Sequence, residues 1–207
     1  MSIFGGSERR RAARLEEWAL AHGWLFREGG VAAPWAAVLG RKWQDFTVLR
    51  TLTGTFDGPP ITAADCRFTG EFHTRPDPGS VVRTSRRTAR VSVFSVAVPG
   101  RFPDVQVDRM ARRPRNTLAN AMIGGQFGEF LGEDFDRMYR VTSPDLPAAR
   151  RLFSPALVQA HLGRSLDSWR LADGELIHVT EGRLEPDKVR RGAEWVRWMA
   201  GMLAGPP

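Results

Sequence analysis

The chain has 207 residues, 42% of them hydrophobic and 26% charged, enough apolar content to bury a core, which excludes disorder over most of its length. Its 30 Lys+Arg against 23 Asp+Glu give a formal net charge of +7, and Lys42 and Lys188 are the only lysines, so the basicity is almost wholly arginine. Cys66 is the single cysteine, which excludes an intramolecular disulfide and an all-cysteine zinc site, and no apolar run matches a signal peptide or the roughly 18 residues of a spanning helix, so the expected location is the cytoplasm.

Ser7 is a good N-cap, and Leu15, Trp18, Ala19 and His22 recur at helical spacing before Gly23, so residues 8–22 are predicted as an amphipathic helix. Residues 24–28, WLFRE, then read as a short strand. In VAAPWAAVLG, Pro34 limits any helix to a turn or two. FTVLRTLTGTF, the turn DGPP and ITAADCRFTGEFH predict a hairpin, and TRPDPGS (74–80) is loop. The longest predicted strand is RTARVSVFSVAVP, with Val91, Val93, Phe94, Val96 and Val98 distributed so that both faces are covered. PDVQVD follows as a further strand.

From Met110 to Gly132 the composition shifts, with Pro114 and Gly124, Gly125, Gly128 and Gly132, to a short helix and a connection. The expected division is an N-terminal α+β lobe at 1–110, a connecting segment at 111–132 and a C-terminal α+β lobe at 133–207, packed as one compact unit. DRMYRV is predicted as a strand. Ser143-Pro144 and Ser154-Pro155 each set a capping hydroxyl before a proline suited to the first helical position, and Gly163 closes the second helix. SWRLADGELIHVT predicts a hairpin with a type I′ turn at Asp173-Gly174, pairing Trp169 with His178 and Leu171 with Leu176. A last helix begins after Glu185-Pro186 with Val189, Ala193, Val196, Ala200 and Leu203 on one face. Trp195, Trp198 and Met202 widen that stripe, which offers a face for a protein partner or a homodimer.

The stretch VRTSRRTARVSVF carries the sharpest charge signal. Arg83, Arg86, Arg87 and Arg90 form a candidate anion-binding group that could neutralise phosphates, aided by Arg112, Arg113 and Arg115. Arginine in place of lysine, beside abundant Ala, Gly and Pro, is also what a GC-rich genome imposes on surface positions, and a solvated hairpin tip accounts for the cluster. Neither exposed aromatics nor a groove-reading helix accompanies it.

Glu129, Glu133, Asp134 and Asp136 in GEFLGEDFD are the one acidic concentration, and they do not fit the spacing of an EF-hand loop. His22, His73, His161 and His178 are scattered singly, and His22 and His161 lie close to helix-ending glycines, where structural duty explains them. GGQFGEFLG matches no phosphate-cradling glycine motif, no serine lies in a G-x-S-x-G elbow, and Cys66 in a strand pattern reads as a small buried hydrophobe. No catalytic residue, metal ligand or cofactor site is thereby assigned.

The order EEWALAHGWLF, LTGTFDGPPITAADCRF, VSVFSVAVPGRFPDVQV, EDFDRMYRVTSPDLPAARRLFSPALVQAHL and WRLADGELI resembles a group of uncharacterised actinobacterial proteins. The closest part is the F-x-x-x-Y-x-V-x-S-x-D element with AARRLFSP and the terminal hairpin. The resemblance spans most of the chain and implies no activity, cofactor or catalytic residue.

The sequence thus reads as an α+β protein, an antiparallel sheet of hairpins flanked by N- and C-terminal amphipathic helices, acting as a non-enzymatic binding or scaffolding module of a bacterial cytoplasm. The alternatives are a nucleic-acid or anionic-surface binder through its Arg-rich hairpin, and an enzyme using the 129–136 acidic segment.

Overall fold

The computed structural model describes residues 4–29, 34–40, 44–74, 83–110, 130–164 and 166–204. In chain order the described elements are α1 (Phe4–Ala21), β1 (Leu25–Glu28), α2 (Pro34–Gly40), β2 (Gln44–Gly54), β3 (Ile61–Thr74), β4 (Arg83–Ala97), β5 (Val105–Arg109), α3 (Glu133–Met138), β6 (Tyr139–Thr142), α4 (Leu146–Leu152), α5 (Pro155–Arg164), β7 (Trp169–Ala172), β8 (Glu175–Glu181) and α6 (Pro186–Ala204). The fold is α+β, with an antiparallel sheet of hairpins in the order β1-β2-β3-β4-β8-β7-β5-β6. The chain divides into two compact units: Met1–Ser95 with Val179–Arg197, and Val96–His178 with Trp198–Pro207. The expected connecting segment falls mostly on residues 111–129, outside the described residues, as does most of the loop at 74–80.

In the first unit, α1 buries Leu15 and Ala19 and stops at Gly23, whose φ of 70° is the left-handed conformation of a helix terminator. The helix already includes Phe4, so Ser7 lies inside it and does not cap it. Glu8 and Arg11 bond to each other and to other elements from within the helix. The β2–β3 hairpin forms as expected, with Asp57 at φ 46° in the turn.

One irregularity in that hairpin positions the charges. Val48 pairs with Cys66, yet Arg50 pairs with Asp65, so two steps along β2 oppose one along β3. Successive strand residues point to opposite faces, and this bulge moves Arg50 onto the face of Asp65, where regular pairing would set it opposite Ala64. Two glycines mark close approaches. A Cβ at Gly54 would lie 2.3 Å from the Trp24 ring, and one at Gly192 in α6 would lie 2.3 Å from Phe94. Each aromatic ring therefore packs against backbone that only glycine leaves bare.

In the second unit, β7 and β8 close through Asp173 and Gly174 at φ 52° and 74°, as a type I′ turn demands, with Trp169 opposite His178 and Leu171 opposite Leu176. Both faces of β4 are buried from Val91 to Val96.

Three local expectations shift. Asp136, Arg137 and Met138 end helix α3 and do not open a strand: the Asp136 carboxylate accepts from the Phe130 and Leu131 N–H groups, and Phe135 turns into the core. The cap of α4 is Asp145, accepting from Ala148 N at 2.9 Å, since the helix starts at Leu146; the Ser143 hydroxyl, two residues earlier, donates to the Asp104 carbonyl at 2.6 Å and accepts from Asp145 N. Ser154 does cap α5, whereas Gly163 lies within that helix, which runs to Arg164.

Candidate functional site

The candidate site is a network of arginines and carboxylates in the first unit. Its base is Asp65 on β3, wholly buried, with Arg50 Nη1 at 3.0 Å and Arg90 Nη1 at 3.2 Å. A buried carboxylate needs such partners, since desolvation alone would make its charged form very costly. Burial is nevertheless the larger influence: it lifts the Asp65 carboxyl above the ordinary range against the pull of Arg90, Arg50 and the Leu184 backbone.

Above this pair sits Glu8 of α1. Its Oε1 meets Arg11 Nη1 at 2.8 Å, Arg90 Nη2 at 3.2 Å and Arg183 Nη1 at 3.3 Å, and its Oε2 meets both terminal nitrogens of Arg50 at 3.3 and 3.4 Å. Four guanidiniums from α1, β2, β4 and the β8–α6 connection thus converge on one carboxylate. Burial raises the Glu8 pKa, but the hydrogen bond from Arg11, the field of Arg90 and the contact with Arg50 outweigh it and hold the group below its ordinary value. Glu185 completes the network, accepting from Arg11 Nε at 2.8 Å and Arg14 Nη2 at 3.1 Å. Lys188 donates to the Glu181 carbonyl, and its partial burial lowers its pKa despite the nearby Asp65.

Among the described side chains of the candidate anion-binding group, only Arg90 enters this network. Arg86 pairs with Asp45 at 3.4 Å on the surface, and Arg87 is exposed. The Arg83 side chain and Arg112, Arg113 and Arg115 lie outside the described residues. The sequence contained a signal for Arg50 and Asp65 that the charge count overlooked. In VLRTL, Arg50 occupies a buried phase between Val48 and Leu52, and in AADCRF, Asp65 sits among small buried residues. A charge at a core phase of a strand requires a buried partner.

The acidic segment has a different use. Glu133 and Asp134 are exposed and pair with Arg137 one turn on, and Asp136 binds backbone, so these carboxylates do not face one another around a centre. Glu129 and the His73 side chain lie outside the described residues. Among the described residues no group of three or more metal-ligating side chains occurs.

The second unit holds the other buried titratable groups. His161 is fully buried among Phe135, Tyr139, Phe153 and Trp169. Its Nδ1–H donates to Leu157 O at 2.8 Å and its Nε2 accepts from Trp169 Nε1 at 3.0 Å, so both ring nitrogens are engaged in the neutral form. Burial depresses its pKa accordingly, against the Leu157 hydrogen bond. The Tyr139 hydroxyl lies 3.1 Å from His161 O and 3.0 Å from Leu166 O. Back in the first unit, burial beside Asp65 pushes the Cys66 thiol up, which makes it inert. An open cleft of about 320 Å³ in the second unit is lined by Asp104, Gln106, Thr142, Ser143 and Arg170, and its one serine hydroxyl is committed to a backbone carbonyl.

No protein family and no curated protein sequence matches the chain. Among solved structures, the mycobacterial trehalose monomycolate transport factor A, TtfA, is similar in fold: TM-score 0.56 at 16% sequence identity, covering 96% of this chain and 98% of that one. At that identity the likeness establishes a shared fold. No helix among the described residues is long and apolar enough to cross a membrane.

Proposed function

We propose that this protein is a non-enzymatic binding module that serves lipid transport as an accessory factor. The observation that carries the non-enzymatic part is the use made of the buried titratable groups. Asp65 is held by Arg50 and Arg90, both nitrogens of His161 are bonded, Tyr139 is tied to two carbonyls and Cys66 is sealed in the core. Catalytic acids, bases and nucleophiles must face a space where substrate can sit, and these groups face packed protein. The transport part is supported by the end-to-end fold likeness to a factor of glycolipid transport. A shared fold hosts many functions, so the cargo is a matter for direct assay.

The seven tryptophans supply an intrinsic probe. Purified protein is titrated with phospholipid vesicles, with and without trehalose monomycolate, following tryptophan emission and vesicle co-flotation, and the lipid is recovered for mass analysis. The expected result is saturable association that depends on the glycolipid, which is recovered chemically unchanged. Turnover of the lipid would refute the non-enzymatic reading, and equal indifference to both vesicle types would refute lipid handling.

A second reading rests on Arg86 and Arg87, exposed on β4. If they bind an anionic surface, association with nucleic acid or acidic vesicles falls steeply with salt and is lost in the Arg86→Ala, Arg87→Ala double variant. Salt-insensitive association would remove that reading.

A further inference from the structure

The network around Glu8 is unevenly satisfied: cationic donors crowd the Glu8 carboxylate, whereas Oδ1 of Asp65 beneath it has no hydrogen-bond partner among the described residues. Five guanidiniums, those of Arg11, Arg14, Arg50, Arg90 and Arg183, pair with the carboxylates of Glu8, Glu28, Asp65 and Glu185, which leaves one positive charge in excess. On Glu8 itself five N–H groups crowd within 3.4 Å, whereas a carboxylate offers about four lone-pair sites. Arg50 is nine-tenths buried, and among the described residues its Nε has no hydrogen-bond partner, with the Glu28 carboxylate held off at 3.8 Å. A buried guanidinium nitrogen without an acceptor is an unmet demand for oxygen.

We infer that Arg11, Arg50, Arg90 and Arg183 form a binding site for a phosphate group, and that Glu8 is an intrachain stopper occupying it. A phosphate presents three or four oxygens and up to two negative charges, so it can take the N–H groups crowded on Glu8 and the excess positive charge better than the single carboxylate there now. Guanidinium forks suit that geometry.

The stopper is built to leave. Glu8 is partly open to solvent, with its side chain 27% exposed. The first turn of α1 contains Gly5 and Gly6, and glycine is a poor helix former, so this end unwinds more readily than the rest of the helix. Arg50 and Arg90 keep their places when Glu8 withdraws, because Asp65 beneath them continues to pair with both. The site does not depend on the lipid-transport reading, and its ligand is recognised by the phosphate group alone, whether free or on a lipid headgroup.

The test measures inorganic phosphate binding by calorimetry to the wild type, Glu8→Gln and Glu8→Ala. Removing one negative charge from the site tightens phosphate binding by about tenfold or more, and adding Arg90→Ala and Arg183→Ala to the Glu8 variant abolishes it. Circular dichroism confirms that each variant is folded. Should Glu8→Ala fail to fold, Glu8→Gln keeps the shape and carries the comparison, and hydrogen exchange in wild-type protein gives an independent reading. Phosphate at matched ionic strength deprotects amides near Glu8, where chloride does not.

Vesicles of phosphatidylcholine with phosphatidic acid, compared with soluble glycerol phosphate, separate the two sources. Preference for the vesicles assigns a headgroup, and equal binding assigns a free phosphate. A folded Glu8→Gln variant that binds phosphate no better than wild type overturns the inference. So does phosphate binding that survives loss of Arg90 and Arg183.

Discussion

Changing Gly192 to alanine in the middle of α6 sets two effects against each other. Alanine in an exposed helix interior is worth about 0.8–1.0 kcal/mol over glycine. At this position the new methyl group would lie 2.3, 2.4 and 2.5 Å from three atoms of the Phe94 ring. Ordinary carbon contacts need roughly 3.5–4.0 Å, so ring or helix must yield by over about 1 Å. Phe94 is fully buried in a core with no slack. Overpacking of this kind costs about 1–3 kcal/mol, and a clash with three atoms at once belongs at the upper end, leaving a net loss of about 2 kcal/mol. Gly201, in the same helix, is the control. A Cβ there meets nothing within 4 Å, so Gly201→Ala stabilises by up to about 1 kcal/mol. Urea unfolding followed by tryptophan fluorescence reads both variants: the midpoint falls by about 1 M for Gly192→Ala and rises for Gly201→Ala, with unchanged slope. If Gly192→Ala matches or exceeds the wild type, the close packing of Phe94 on α6 is wrong.

Asp65→Ala leaves Arg50 in the core without its main partner and costs about 3–5 kcal/mol in chemical denaturation, whereas the paired change Asp65→Leu with Arg50→Met costs less; a reversed order would show that the pair is not the reason for the loss. His161 is held neutral in the folded state while the unfolded chain takes up a proton at the ordinary value of 6.5, so stability is complete above that pH and declines as pH falls from 6.5 toward the depressed folded value. His161→Gln flattens that part of the profile, and an unchanged slope would assign the acid sensitivity elsewhere. Glu8 contributes a later step: its folded pKa lies below the ordinary 4.5, so the stability it adds is present above 4.5 and is lost as pH falls through the folded value, a step absent in Glu8→Gln. Tyr139→Phe leaves the carbonyls of His161 and Leu166 without their buried donor and lowers stability by about 1–3 kcal/mol; a loss below about 0.5 kcal/mol would mean that the hydroxyl is not the tie described.

The sequence by itself determined whatever depends on residues close along the chain. The Asp173-Gly174 turn, the register of Trp169 with His178, the buried phase of Val189, Ala193 and Val196, and the two covered faces of β4 are local consequences of turn chemistry and hydrophobic period. Local rules placed one cap two residues early: α4 starts at Leu146 and Asp145 caps it, while the Ser143 hydroxyl donates to the Asp104 carbonyl some forty residues back and accepts from Asp145 N. Only the tertiary structure decided the candidate site. Glu8, Arg50, Asp65, Arg90 and Arg183 come from five separate stretches, and a single bulge in β2 sets whether Arg50 faces Asp65. Periodicity places a side chain on a face, but it cannot say which distant charge shares that face. For a buried ion network that pairing sets both the energy and the chemistry.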